Sequence, residues 1–139
     1  MPTTFSITRQ VQFHETDMAG VVHFANFFKW MEETEHEFLR SIGVSLSPTS
    51  TSRTPAVYWP RVSATCDYSH PARFEDEVAC HLKIQRVGDG SITHRVEFMV
   101  NAVTIATGSM TIACCTLENG TLRPLPIPPE IRARLSVLH

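Results

Sequence analysis

Near the start of the chain apolar and polar side chains alternate. Phe5, Ile7, Val11 and Phe13 fall on one side, and Ser6, Thr8, Gln10 and Gln12 on the other. That is the period of a half-buried strand. Over residues 22–42 the period lengthens to that of a helix, with Phe24, Phe27, Phe28, Met31, Phe38, Leu39 and Ile42 in one stripe and Gly43 placed to stop it. Residues 46–55, rich in Ser, Thr and Pro, read as a loop. Four further strands follow. The segment 56–67 is the least regular; residues 77–87 put Val78, Cys80, Leu82 and Ile84 on one face; residues 91–100 do the same for Ile92, Val96, Phe98 and Val100; residues 104–117 are apolar and rich in small side chains. Gly88-Asp89-Gly90 and Asn101-Ala102 are short enough to turn the last three into hairpins. The proline-rich tail at 123–129 cannot be a central strand, and 130–138 has room for a short terminal helix.

The order strand, long helix, four strands predicts an α+β fold. One apolar helical stripe needs a sheet to cover it, and an antiparallel sheet wrapped around a single central helix does so. The length of 139 residues predicts one domain spanning 1–139, and 42% apolar with 19% charged residues is the composition of a globular protein. A net charge of -2 gives no expectation of nucleic acid or of an anionic membrane as partner. Cys66, Cys80, Cys114 and Cys115 form no C-x-x-C pair, and adjacent cysteines in a strand point to opposite faces. Buried free thiols in a reducing compartment are therefore expected. Residues 1–8 carry no basic-then-apolar signal and no apolar run is of bilayer length, so the expected location is the cytoplasm.

The chemistry concentrates at His14-Glu15-Thr16-Asp17-Met18-Ala19-Gly20, at the mouth of the predicted helix. Spacing alone allows two readings of Asp17. One is a helix N-cap, its carboxylate accepting the free amides of the first turn. The other is a reactive carboxylate: Gly20 permits close approach of a ligand, and Val21 and Val22 are poor choices for an ordinary first turn. Free amides at such a position stabilise a developing oxyanion, and a carboxylate beside them attacks a carbonyl or deprotonates water. A thioester suits this pair because a thiolate leaves with little acid assistance.

Residues 11–32, with Asp17, Gly20, the branched pair Val21-Val22, and Trp30 and Glu32 further on, resemble the signature of the 4-hydroxybenzoyl-CoA thioesterase family of hot-dog proteins. The resemblance implies a five-stranded antiparallel sheet around one long helix and hydrolysis of acyl-CoA. It implies Asp17 as the catalytic carboxylate, Gly20 in the turn entering the helix, and the backbone amide of Phe24 as donor to the thioester carbonyl. Asn26 matches an asparagine of the hydroxybenzoyl branch. The family implies a homodimer or homotetramer, an acyl-CoA or acyl carrier protein as acyl donor, and no metal or redox cofactor. His23 stands where relatives usually carry an aromatic residue, and Glu35 where many have Arg.

The remaining residues are weighed individually. His23 lies within the motif and His14 flanks it; either orients water or is a structural histidine. Trp30, with Tyr58 and Trp59, is a candidate lining for an aryl pocket, against the common core role of aromatic residues. Arg61, Arg73, Lys83, Arg86 and Arg95 are candidates for coenzyme phosphates, Arg86 foremost because it adjoins the 88–90 turn, with Ser91 beside it. Glu32 and His36 are one helical turn apart, but a catalytic zinc normally takes three protein ligands, so no metal site is expected. Glu35 falls on the apolar stripe, where an unpaired carboxylate is costly; two readings stand level, a polar partner such as one across a subunit interface, and a side chain that snorkels out near a gap in the sheet. Two other readings remain open at this stage: a hot-dog dehydratase using His14 or His23 with Glu32, and a non-catalytic acyl-CoA or acyl-carrier-protein binding protein.

Overall fold

The computed structural model describes residues 4–47 and 56–138. Five strands, β1 (Phe5–Gln10), β2 (Arg61–Tyr68), β3 (Glu77–Val87), β4 (Ser91–Val100) and β5 (Val103–Ala113), form one sheet in the order β1-β3-β4-β5-β2, every neighbouring pair antiparallel. Helix α1 (Ala25–Ser41) packs across one face of it, against β1, β2, β3 and β5. A two-stranded ribbon, β6 (Cys115–Glu118) with β7 (Thr121–Pro124), and a short helix α2 (Pro129–Leu135) complete the chain. The α+β class and the wrapped sheet are as the pattern predicts. β3 and β4 occupy the predicted ranges, because strict alternation fixes both their limits and their buried face.

Several elements depart from the sequence reading. The helix starts at Ala25, not at residue 22, because Val22 is held in extended backbone by a bridge to Thr16 and by its N–H to the Ala72 carbonyl at 2.8 Å. The buried stripe is Phe27, Trp30, Met31, Thr34, Glu35, Phe38 and Leu39, whereas Phe24 is exposed. Phe13 is 74% exposed, since the chain leaves the sheet after Gln10 and Phe13–Glu15 form a single 3-10 turn; Arg9, not Phe13, continues the inward face of β1. The expected strand 104–117 breaks at Cys114, so Cys114 and Cys115 are both buried rather than on opposite faces. Of the expected loop 46–55, residues 48–55 lie outside the described residues.

Helix and sheet meet closely at Gly108 of β5. A Cβ there would lie 2.2 Å from Met31 Sδ, so only glycine lets α1 seat its central turn on the sheet. Phe27, Trp30, Met31 and Phe38 close this core against Val78, Cys80 and Leu82 of β3, Val96 and Phe98 of β4, and Met110 and Ile112 of β5. The polar end of α1 is thereby fixed over one end of the sheet, beside the loop that follows β1.

Candidate active site

Asp17 opens a tight hairpin, not the helix. Its N–H donates to the Val21 carbonyl at 2.8 Å, the Gly20 N–H returns to the Asp17 carbonyl at 3.0 Å, and Gly20 adopts φ +78°. This is a three-residue hairpin loop ending in a left-handed residue, which is why glycine stands at position 20. The Asp17 carboxylate caps the turn from inside: Oδ1 accepts the Ala19 N–H at 2.8 Å and the Val21 N–H at 3.4 Å. The other oxygen, Oδ2, has no partner among the described residues. The helix-cap reading of Asp17 is therefore corrected, because the helix begins eight residues further on and Phe24 occupies its N-cap.

Asp17 and Phe24 share one cleft of about 340 Å³ with Val21, Val22, Phe27, Tyr68, Ser69, His70, Pro71 and Ala72. Its walls are the 17–24 segment and the 68–72 segment. The Phe24 N–H meets no acceptor among the described residues, while its neighbours are engaged: the His23 N–H reaches the Glu15 carbonyl at 2.9 Å and the Ala25 N–H reaches His23 Nδ1 at 3.2 Å. His23 is thus exposed, stacked on Phe24 with ring centroids 4.6 Å apart, and caps the helix. His14 is exposed on the preceding turn.

Glu15 holds this segment in place. Its buried carboxylate accepts from the Gln12 N–H at 2.8 Å, the Trp30 indole at 2.9 Å and the Arg9 guanidinium at 2.7 Å, and the Arg9 guanidinium also lies over the Trp30 ring. Burial opposes its charge, but the Gln12 amide, the indole and Arg9 together outweigh burial and hold its carboxyl below the usual range. Its carbonyl receives both the His23 N–H and, at 2.8 Å, the Asn26 side-chain amide. In this chain Asn26 ties helix to turn, and Trp30 is fully buried and does not line the cleft. Tyr58 and Trp59 precede β2 at its Arg61 end, away from the cleft. The 68–72 wall was missed from sequence; the His70-Pro71 pair directly after a strand candidate was the available signal that the chain turns there.

Glu35 has its partners inside the chain. Arg61 of β2 holds the carboxylate through both terminal nitrogens, at 3.0 and 3.1 Å, and His94 Nδ1 lies 2.9 Å from Oε2. Glu32 and His36 stand at the outer side of this cluster, at 3.5 Å from Arg61 and 3.9 Å from Glu35. Burial alone would raise the Glu35 carboxyl; the His94 and Arg61 hydrogen bonds outweigh it and bring it down to about 2. No three His, Cys, Asp or Glu side chains among the described residues converge as metal ligands do.

The basic candidates are scattered. Arg73 pairs with Val21 in a backbone bridge and so adjoins the Asp17 turn. Arg86 and Ser91 sit at the far end of β3 and β4, about 30 Å along the strand from the end nearest Asp17. Lys83 and Arg95 face each other on the outer side of the sheet, where they border a polar recess with His81 and Glu97. No helix among the described residues is long and apolar enough to cross a membrane.

Comparison with known proteins places the family and the fold. Residues 11–135 match the model of the thioesterase-like superfamily. A 1,4-dihydroxy-2-naphthoyl-CoA hydrolase of Parasynechococcus marenigrum (strain WH8102) is 35% identical over 107 residues, covering 73% of this chain and 70% of the relative. The crystal structure of a 1,4-dihydroxy-2-naphthoyl-CoA thioesterase from Synechocystis superposes with a TM-score of 0.85 at 26% identity, covering 97% of each chain. A gentisyl-coenzyme A thioesterase structure superposes with a TM-score of 0.79 at 30% identity, covering 94% of this chain and 99% of the other. With a hot-dog sheet wrapped around α1 and a match over nearly its whole length, the chain belongs to the thioesterase-like superfamily and is an enzyme of the thioester-hydrolase class.

Proposed function

We propose that this protein hydrolyses acyl-CoA thioesters to a carboxylic acid and free CoA, with Asp17 as the reacting carboxylate and the Phe24 N–H as donor to the thioester oxygen. The observation that carries this reading is that Asp17 and Phe24 line the same cleft, and that Asp17 Oδ2 and the Phe24 N–H have no partner among the described residues. Asp17 acts by one of two routes. As nucleophile, its oxygen bonds to the acyl carbon, the carbon–sulfur bond breaks, CoA leaves as thiolate, and water then cleaves the anhydride. As general base, it takes a proton from a water that attacks the same carbon. In both, negative charge collects on the carbonyl oxygen, where a fixed amide donor is worth most.

The walls suggest the acyl class. Phe24, Phe27, Tyr68 and Pro71 present flat surfaces, and two similar proteins are named for aromatic acyl groups. An aromatic acyl-CoA is therefore the preferred substrate, with acyl carrier protein as the other candidate donor. Arg73 is the cation best placed for the coenzyme within one chain; Arg86 and Ser91 contribute through a neighbouring subunit of a homodimer or homotetramer. The dehydratase reading finds no support, since Glu32 pairs with Arg61 about two turns along the helix from His23. Thiol release from 1,4-dihydroxy-2-naphthoyl-, gentisyl-, butyryl- and palmitoyl-CoA tests the proposal. Higher kcat/KM for the two aromatic thioesters is expected; turnover of none, with CoA still bound, would favour a binding protein.

A further inference from the structure

Tyr68 is the last residue of the edge strand β2 and the first of the cleft's second wall. Its ring stands edge-on to Phe27 with centroids 5.2 Å apart, and its hydroxyl donates to the Phe24 carbonyl at 3.0 Å. The two walls are stitched at their other end by the Val22 N–H on the Ala72 carbonyl and by the Val21–Arg73 bridge. At the Phe24 end, the Tyr68 hydroxyl is the hydrogen bond that spans them.

That position matters because of what lies on either side of Phe24. The peptide before it is held at its carbonyl, where His23 accepts the Asn26 N–H at 3.0 Å, and the N–H of the peptide after it by His23 Nδ1. Phe24 itself is an exposed N-cap with helical backbone, φ -53° and ψ -34°, and its carbonyl accepts the Phe27 N–H at 3.3 Å, a long bond to which the Tyr68 hydroxyl adds a shorter one from the opposite wall. The Phe24 N–H belongs to the preceding peptide plane, so the Tyr68 hydroxyl acts on it by fixing where the whole first turn of α1 sits against the second wall. We propose that Tyr68 is a positioning residue, its hydroxyl tying the first turn of α1 to the opposite wall and so holding the Phe24 N–H in place for the thioester oxygen. This rests on the role of the Phe24 amide proposed above. Burial, and then the neighbouring Cys66, push the Tyr68 phenol up to about 12, so it remains a donor throughout the pH range of catalysis.

Tyr68→Phe keeps the ring against Phe27 and removes only the hydroxyl. A loss of aim short of losing the amide donor altogether predicts a fall in kcat on gentisyl-CoA of about tenfold to a hundredfold, with KM changed less than about threefold. The melting temperature should move little, because the bond lies at the surface. A second readout samples only folded protein: the carbonyl stretch of gentisyl-CoA bound to Asp17→Asn, read by Raman difference spectroscopy. Its shift to lower frequency should shrink when Tyr68→Phe is added. Unchanged kcat and an unchanged carbonyl stretch in Tyr68→Phe would overturn the proposal. An unshifted carbonyl with Tyr68 intact would instead overturn the role of the Phe24 amide, and the positioning role with it. Full turnover by Asp17→Asn would displace only the assignment of Asp17 and leave the Tyr68 result to be read by itself.

Discussion

Replacing Glu35 by Gln tests the buried cluster at the centre of α1. Glu35 is 3% exposed and His94 1% exposed, and the carboxylate takes two hydrogen bonds from Arg61 and one from His94. An ordinary glutamate titrates near 4.5, and in the folded chain Glu35 titrates near 2. A carboxyl depressed in this way stabilises the native state at every pH above the unfolded value, and that contribution drains away as pH falls from about 4.5 to about 2. At about 1.4 kcal/mol per pH unit the difference comes to about 3 kcal/mol. Urea unfolding followed by Trp30, which is wholly buried, measures it. Glu35→Gln should be about 3 kcal/mol less stable than wild type at pH 7, and the gap should close toward pH 2. A gap that stays constant from pH 6 to pH 2 would refute the reasoning, since a cost independent of pH comes from packing and not from ionised Glu35. Arg61, His94, His36 and Glu32 are the charged or titratable groups around it; the first two bond it directly, so variants at either should lose part of the same pH dependence.

Two other substitutions probe what holds the site in place. Gly108→Ala puts a Cβ against Met31 and within 3.1 Å of the Thr65 carbonyl; about 1–3 kcal/mol of stability should be lost, measured by denaturant titration, as α1 is pushed off the sheet. Trp30→Phe removes the indole donor to Glu15 and leaves a void; about 2–4 kcal/mol should be lost while KM for the thioester holds, and a large KM rise with unchanged stability would restore Trp30 to the substrate pocket.

Much of the fold was legible because β3 and β4 alternate strictly and the helix carries a clear stripe. The helix start was not, because Val22 and Phe24 extend the apolar period into a segment that tertiary hydrogen bonds hold extended or at the cap. Glu35 was visible as an anomaly, but its partners lie on β2 and β4, and no local spacing connects them. His94 went unnoticed on an otherwise apolar face for the same reason. At the site, the motif singled out Asp17, Gly20 and Phe24, of which Asp17 and Phe24 line the cleft and Gly20 shapes the turn, while this arrangement depended on backbone geometry that spacing does not encode. Trp30 illustrates the limit: it lies inside the motif, yet its indole serves Glu15 and not the cleft. The wall from Tyr68 to Ala72 follows the least regular strand and carries no period at all.

The central claim is that Asp17 is the group that reacts. Thiol release from gentisyl-CoA by wild type and Asp17→Asn, at equal folded concentration, tests it most directly. Asparagine keeps the side-chain oxygen that caps the Ala19 and Val21 amides, so the turn should survive. The expected result is a fall in kcat of at least about a hundredfold with CoA-thioester binding retained. Turnover by Asp17→Asn at the wild-type rate would contradict it.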